Sequence, residues 1–339
     1  MESIQITFGK DKTAIIKGFA IVFMILLHVF GGAEWYEGDI PMNYNEGLIR
    51  FMHSFQICVG FFVFMIGYGY AFSKKKDFSY SVKHVKQLLT AFWTVLFLFA
   101  VPASLGTLHS SKLGGARLLY LNMFGIDETL LWVSWFVFLY IWAMMVMPFM
   151  GRLIDRRPYL WTIILFIASF VAQFVVWFFV PNFNSNPWWH ALFVCFSWTP
   201  TILLGYLFAQ RKWFQKIRIP NHWSVPIFAT VLVFVVLWLK MVLPGIKILN
   251  FDIIYAPTII LCILAVFSQF KLKYFSKIMT ELGDKSVYMW FVHALFFTAA
   301  TRPVYHQFVM ISNNLCVVAV WTIVLSYVLS LFIKKIVEL

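Results

Sequence analysis

Residues 14–32 read AIIKGFAIVFMILLHVFGG, and this stretch decides the fold. Crossing the hydrocarbon core of a bilayer takes about 20 mostly apolar residues in helical form. This run supplies them without a small-residue cleavage site, so it reads as a first span and not as a removable leader. The same signature recurs along the chain, and candidate spans fall at 14–32, 47–72, 85–106, 131–150, 159–180, 190–209, 223–243, 253–270, 286–305 and 309–333. Segment 113–126, which contains GGARLLYLNMFGI, is too short and too glycine-rich to cross. It is expected to lie at the interface or to re-enter. The expected architecture is a single all-α, polytopic integral membrane domain over residues 1–339, with about ten helices.

Composition agrees. Hydrophobic residues make up 62% of the 339 residues, charged residues 12% and aromatics 20%, a balance that leaves too little polar surface for a water-soluble fold of this length. The formal charge of +13 does not point to nucleic acid, because the basic residues sit in short clusters between apolar runs. Of the 27 lysines and arginines, all but Arg50, Lys112, Arg117, Lys240, Lys247 and Arg302 fall in alternate connections. Such a bias marks the cytoplasmic side and places both termini there, in a multi-pass protein of the cell membrane bathed in membrane lipid. Cys58, Cys195, Cys262 and Cys316 each stand alone in an apolar run and are expected to be small buried side chains. No CxxC, Cys/His cluster, HExxH, Walker loop or GxSxG occurs, so no metal is expected.

Ionisable groups inside a span are costly and mark function. His28 lies in the outer third of the first span, eleven residues after Lys17. Eleven residues rise about 16 Å and turn about three times, so both side chains share one helix face. A snorkelling lysine and an interfacial histidine would give the same pattern. Lys83 and Lys86, three apart at the start of the third span, also share a face and can hold a phosphate, although positive-inside topology explains them as well. Fainter signals come from Arg50 and His53 at the outer start of the second span, and from His293 and Arg302 in the ninth. The outer loop with Glu34, Glu37, Asp39 and Glu46 could form a lip for a polar acceptor, and Trp188 and Trp189 stand at the outer start of the sixth span. Carboxylates, the usual couplers of ion-driven transport, are missing from the span interiors as read here.

Taken in order, several of these pieces resemble the membrane acyltransferase-3 family. Lys17-x10-His28 is similar to its Arg-x10-His first helix. FFVFMIGYGYAFSKKK (61–76) is similar to its FF-x-x-SG second helix, and Lys83-x-x-Lys86 to its Arg-x-x-Arg at the start of helix 3. SWFVFLYIWAMMVMP (134–148), with Trp135, resembles its WF…P helix 4. LGDKSVYMWFVHALFF (282–297) resembles its LGxxS segment ending in a histidine. Lysines replace the arginines at 17, 83 and 86, and Ile66 replaces a serine, a pattern similar to the sugar O-acetylase branch.

The resemblance implies transfer of an acyl group, most often acetyl, from cytoplasmic acetyl-CoA to a hydroxyl of an extracytoplasmic surface glycan or lipid-linked sugar. Lys17, Lys83 and Lys86 would hold the donor's phosphates, and His28 would act as general base or acyl relay. Glu34, Arg50, His53, Trp135, His293 and Arg302 would lie toward the acceptor. A flippase for a lipid-linked sugar would share the ten helices without needing Lys17 and His28 on one face. A sensor or scaffold domain of the same fold is the third reading.

Overall fold

A computed structural model describes residues 2–31, 45–107, 115–246, 248–270 and 272–338. Its long helices are α1 (Lys10–Phe30), α2 (Ile57–Ala71), α3 (Phe78–Val95), α4 (Trp135–Arg156), α5 (Pro158–Phe179), α6 (Pro187–Gln210), α7 (Ser224–Val242), α8 (Asp252–Gln269), α9 (Lys273–Phe297) and α10 (Leu315–Val337). Among the described residues, nine helical segments are long and apolar enough to cross a membrane. The tenth long helix, α9, carries Glu281, Asp284 and Lys285 in its first half, and only its second half is continuously apolar.

Local chemistry sets the ends. Asn45 accepts from the Leu48 N–H to start a short helix, Glu46–His53, that leads through a 3-10 turn into α2. Asp77 caps α3 through the Tyr80 N–H, and Asn186, followed by Pro187, caps α6; a side-chain acceptor and a proline at the first turn both suit a helix start. Past α3 the chain makes a π turn, Leu96–Ala100, before a last helical piece, Val101–Thr107. Pro102 has no N–H to give Leu98, which is what opens the ladder there. Segment 115–123 forms a nine-residue helix, about 14 Å long and too short to cross.

The ninth expected span, 286–305, is shifted. The helix begins at Lys273 and stops at Phe297. The Thr298 and Thr301 hydroxyls then donate back to the carbonyls of Ala294 and Leu295, and Pro303 follows. Arg302 therefore belongs to a separate short helix, Arg302–Tyr305, and not to the span.

The bundle has an inner and an outer shell. In the most apolar stretch of segment Glu46–Ala71, which ends in α2, 67% is buried, against 22% in α5 and 28% in α7. The exposed Phe178, Phe179, Phe228 and Phe234 of those outer helices are what lipid requires of a lipid-facing surface. Two inner crossings bring backbones into contact. A methyl added at Gly18 would fall on the Met279 carbonyl, and one at Gly283 on that of Ala14, so α1 and α9 touch main chain to main chain. Gly67 and Gly205 do the same for α2 and α6. Without a hydrophobic drive in lipid, close packing of this kind is a main source of helix association.

Because Ala14 and Gly18 meet Gly283 and Met279 while His28 meets His293, α1 and α9 run parallel. One end of the bundle is thus the Lys17 end and the other the His28 end. Strand β1 (Ser3–Gln5) pairs antiparallel with β2 (Arg218–Pro220), and Val337 and Glu338 border the same cavity as Lys17. Both chain ends lie at the Lys17 end. Cys58, Cys195 and Cys262 are buried as expected, but Cys316 is exposed, because α10 is an outer helix.

Candidate functional site

The α1–α9 crossing fixes the site. Ten residues beyond the Gly18 contact, His28 Nδ1 lies 2.9 Å from Nε2 of His293, with the rings nearly parallel, centroids 5.0 Å apart. Both are buried, His28 6% exposed and His293 0%. The far nitrogen of His293, Nδ1, lies 3.1 Å from the Met289 carbonyl. A carbonyl can only accept, so with both rings neutral the proton order is determined. His293 donates from Nδ1 to Met289, its Nε2 accepts, and His28 donates from Nδ1. The basic lone pair of His28 is therefore on Nε2. The edge of Trp132, from the 3-10 turn before α4, meets the His28 ring with centroids 4.2 Å apart and planes at 78°.

Toward the Lys17 end, a cavity of about 990 Å³ opens between α1, α2, α3, α4 and α9. Lys17, Lys83 and Lys86 all line it, Lys17 half-buried and the other two exposed. The carboxylates of Asp284 and Glu338 share its rim. At depth the wall includes Phe62 and Phe136. Trp290 stacks on Phe136 with centroids 4.2 Å apart and packs tilted on Phe62 at 4.7 Å, and it stands one turn before His293 on α9. Trp290 thus connects the cavity wall to the histidine pair along α9. On the same helix the indole N–H of Trp290 and the hydroxyl of Ser286, both buried, find no hydrogen-bond partner among the described residues.

The remaining residues singled out from sequence are more scattered. His53 brings its ring beside Gly31, just past the end of α1, and is exposed. Arg50 is exposed and pairs with Glu46 at 3.8 Å on the surface. Trp135 packs on Phe136, and the tryptophan on the His28 ring is Trp132. Arg302 lies on the short helix beyond α9. Glu34 falls outside the described residues, as do Glu37 and Asp39. Trp188 and Trp189 are exposed, consistent with an interfacial belt. Beside them His190 lies 3.7 Å from Glu128. Burial, reinforced by Asp127, pushes the Glu128 carboxyl up to about 7.

Two features escaped sequence reasoning. The contact of His28 with His293 links residues 265 apart in the chain and follows only from the parallel α1–α9 crossing. The carboxylate of Asp252, at the head of α8, is buried against Lys240 of α7. It stands at the very start of its helix, outside the expected span 253–270, and is buried by its neighbours.

Helices long and apolar enough to cross a membrane, packed around buried polar residues, make this a multi-pass α-helical membrane protein. A family model described as an acyltransferase domain, of the acyltransferase-3 type, matches residues 14–333. That is nearly the whole chain and includes both histidines and all three cavity lysines. The chain belongs to this family and is an acyltransferase. No curated protein and no solved structure matches it significantly.

Proposed function

We propose that the chain transfers an acetyl group from cytoplasmic acetyl-CoA to a hydroxyl of an extracytoplasmic or lipid-linked surface polysaccharide, within the cell membrane. The observation that supports this most is the alignment of the lysine-lined cavity with the histidine pair along the parallel helices α1 and α9. Lys83 and Lys86 at the mouth and Lys17 further in suit the phosphates of a coenzyme A thioester, and the aromatic depth of the cavity suits its apolar arm. Asp284 and Glu338 on the same rim would favour a mode in which the phosphates meet the α3 lysines.

In this reading the acceptor hydroxyl reaches His28 from the opposite end. His28 Nε2 takes the hydroxyl proton as the oxygen attacks the thioester carbonyl. The resulting imidazolium still donates from Nδ1 to His293, so the pair keeps its hydrogen bond and strengthens it as charge develops. Collapse of the tetrahedral intermediate breaks the C–S bond. The proton passes from His28 to the departing thiolate, leaving the acetyl ester and free coenzyme A. A carrier of lipid-linked sugars would have no use for a lysine-lined cavity aligned with a buried base.

The donor assignment is checked at the cavity mouth. Lys83→Ala/Lys86→Ala should raise KM for acetyl-CoA roughly tenfold with little change in kcat, because two phosphate partners held in both ground and transition state are lost. Arginine at both positions should restore the wild-type KM. An unchanged KM in the alanine variant places the donor elsewhere.

A further inference from the structure

A second polar site lies on the far side of α2 from the histidines. Gly60 packs on Asp252 and Ala256 of α8. Phe62, two residues on and so about 200° round the helix, packs on Trp290. On the Gly60 side is a cavity of about 190 Å³ whose polar lining is Gln56, Ser197, Lys240, Asn250 and Asp252, with Trp198 as its aromatic wall. A small hairpin, β3 (Gly245–Ile246) with β4 (Leu249–Asn250), borders it. The cavity stands at the His28 end, where α2 and α8 begin and α7 stops.

Lys240 and Asp252 form an ion pair with side chains only 4% and 2% exposed. Withdrawing two charges from water is costly, and apolar residues of the same volume would often be as stable or more so. Packing alone therefore gives a weak reason for the pair, whereas a ligand needing both charges gives a direct one. The groups are balanced. Asn250 accepts from the Asp252 N–H through its side-chain oxygen, which leaves its amide nitrogen as a donor. The Lys240 ammonium has three N–H groups and spends one on Asp252 Oδ1. The second carboxylate oxygen, the Ser197 hydroxyl and the Gln56 amide add acceptors and donors.

Net charge of the lining is zero, so neither an anion such as a phosphate headgroup nor a cation is selected. Mixed donors and acceptors beside an aromatic wall suit a neutral ring bearing several hydroxyls. The volume equals about six waters at ~30 Å³ each, room for one such ring and well below the ~300–1,000 Å³ of a pocket for larger ligands.

We propose that this cavity is a saccharide subsite that takes one neutral sugar ring, its hydroxyls donating to Asp252 and accepting from Lys240 and Asn250, apart from the position where acyl transfer occurs. That the ring is another residue of the acceptor glycan rests on the function proposed above; the binding itself does not.

Saturation-transfer NMR on the purified protein in nanodiscs tests it, with methyl glucoside, galactoside, mannoside and N-acetylglucosaminide as probes. At least one glycoside should receive saturation from the wild type. Lys240→Met/Asp252→Leu, which exchanges the pair for apolar groups of similar size, should weaken that signal roughly tenfold or more, since charge-assisted hydrogen bonds are lost. Asn250→Ala and Ser197→Ala should each weaken it to a smaller extent and serve where the double variant does not fold. Absence of a signal from all four glycosides overturns the subsite, as does a signal that persists in the folded variants. Glycoside binding without acetyl transfer would leave the subsite standing and count against the proposed reaction. Acetyl transfer to glycan without glycoside binding would do the reverse.

Discussion

His28→Ala is expected to lower acyl transfer by ~10²–10⁴-fold, the usual cost of losing a positioned general base, while the protein still inserts into the membrane. The expectation rests on where the ring is held. Its Nδ1 is committed to His293 at 2.9 Å, its edge contact with Trp132 restrains rotation, and the basic Nε2 is thereby oriented. Removal of the base should appear in kcat, with KM for the acyl donor nearly unchanged, because the cavity lysines are at the opposite, Lys17 end of the bundle. His28→Gln keeps most of the volume beside Trp132 and guards against a loss that is only structural; it should be nearly as inactive. Near-normal O-acetylation in either variant, measured per inserted protein, would remove His28 from the chemistry.

The second large effect belongs to a residue that acts through another. His293→Phe preserves an aromatic side chain at the buried position but offers His28 no acceptor. Nδ1–H of His28 is then buried without its partner, a cost of about 1–3 kcal/mol, and the tautomer with its lone pair on Nδ1 becomes available. We expect kcat to fall about 10²-fold, consistent with losing roughly 3 kcal/mol of orientation and imidazolium stabilisation. KM for the donor should hold. A positioning role further predicts that His293→Gln, whose amide oxygen can accept from His28, recovers part of the loss. Equal activity of the Phe and Gln variants would mean that His293 serves packing alone.

Much of this molecule is legible in its sequence, for identifiable reasons. Helix existence is written in apolar runs of spanning length, and each long helix overlaps one of those runs, although α9 starts well ahead of its own. The Lys17–His28 pair is legible because both residues lie on one helix, where rise and twist per residue are fixed. What escaped needed knowledge of which helix meets which. The approach of His293 to His28 depends on Gly18 and Gly283 letting two backbones touch, a property of a crossing and not of either segment. Trp132 and Trp135 differ by less than a turn, and the irregular 3-10 geometry at 132–134 brings the former onto His28. Lys240 and Asp252 each sit at the polar end of an apolar run, where an exposed charge is the ordinary outcome. Their burial comes from α2, α6 and the paired strands β3 and β4 beside them. The end of α9 was misplaced because residues 298–301 remain apolar enough to extend a hydropathy window, whereas two threonine hydroxyls turn the chain back at that point.

The proposed reaction needs donor and acceptor to approach from opposite sides of the membrane, since Lys17 and His28 stand at opposite ends of one spanning helix. The most direct test is acetyl transfer in sealed vesicles whose orientation is set by impermeant labelling of single cysteines at positions 75 and 184 in a cysteine-free background. Radiolabelled acetyl-CoA supplied only on the position-75 side should support acetylation of glycan held on the position-184 side, and the reverse arrangement should give none. Transfer with acetyl-CoA and glycan confined to the same side, or with acetyl-CoA supplied only from the position-184 side, would contradict the proposed reaction.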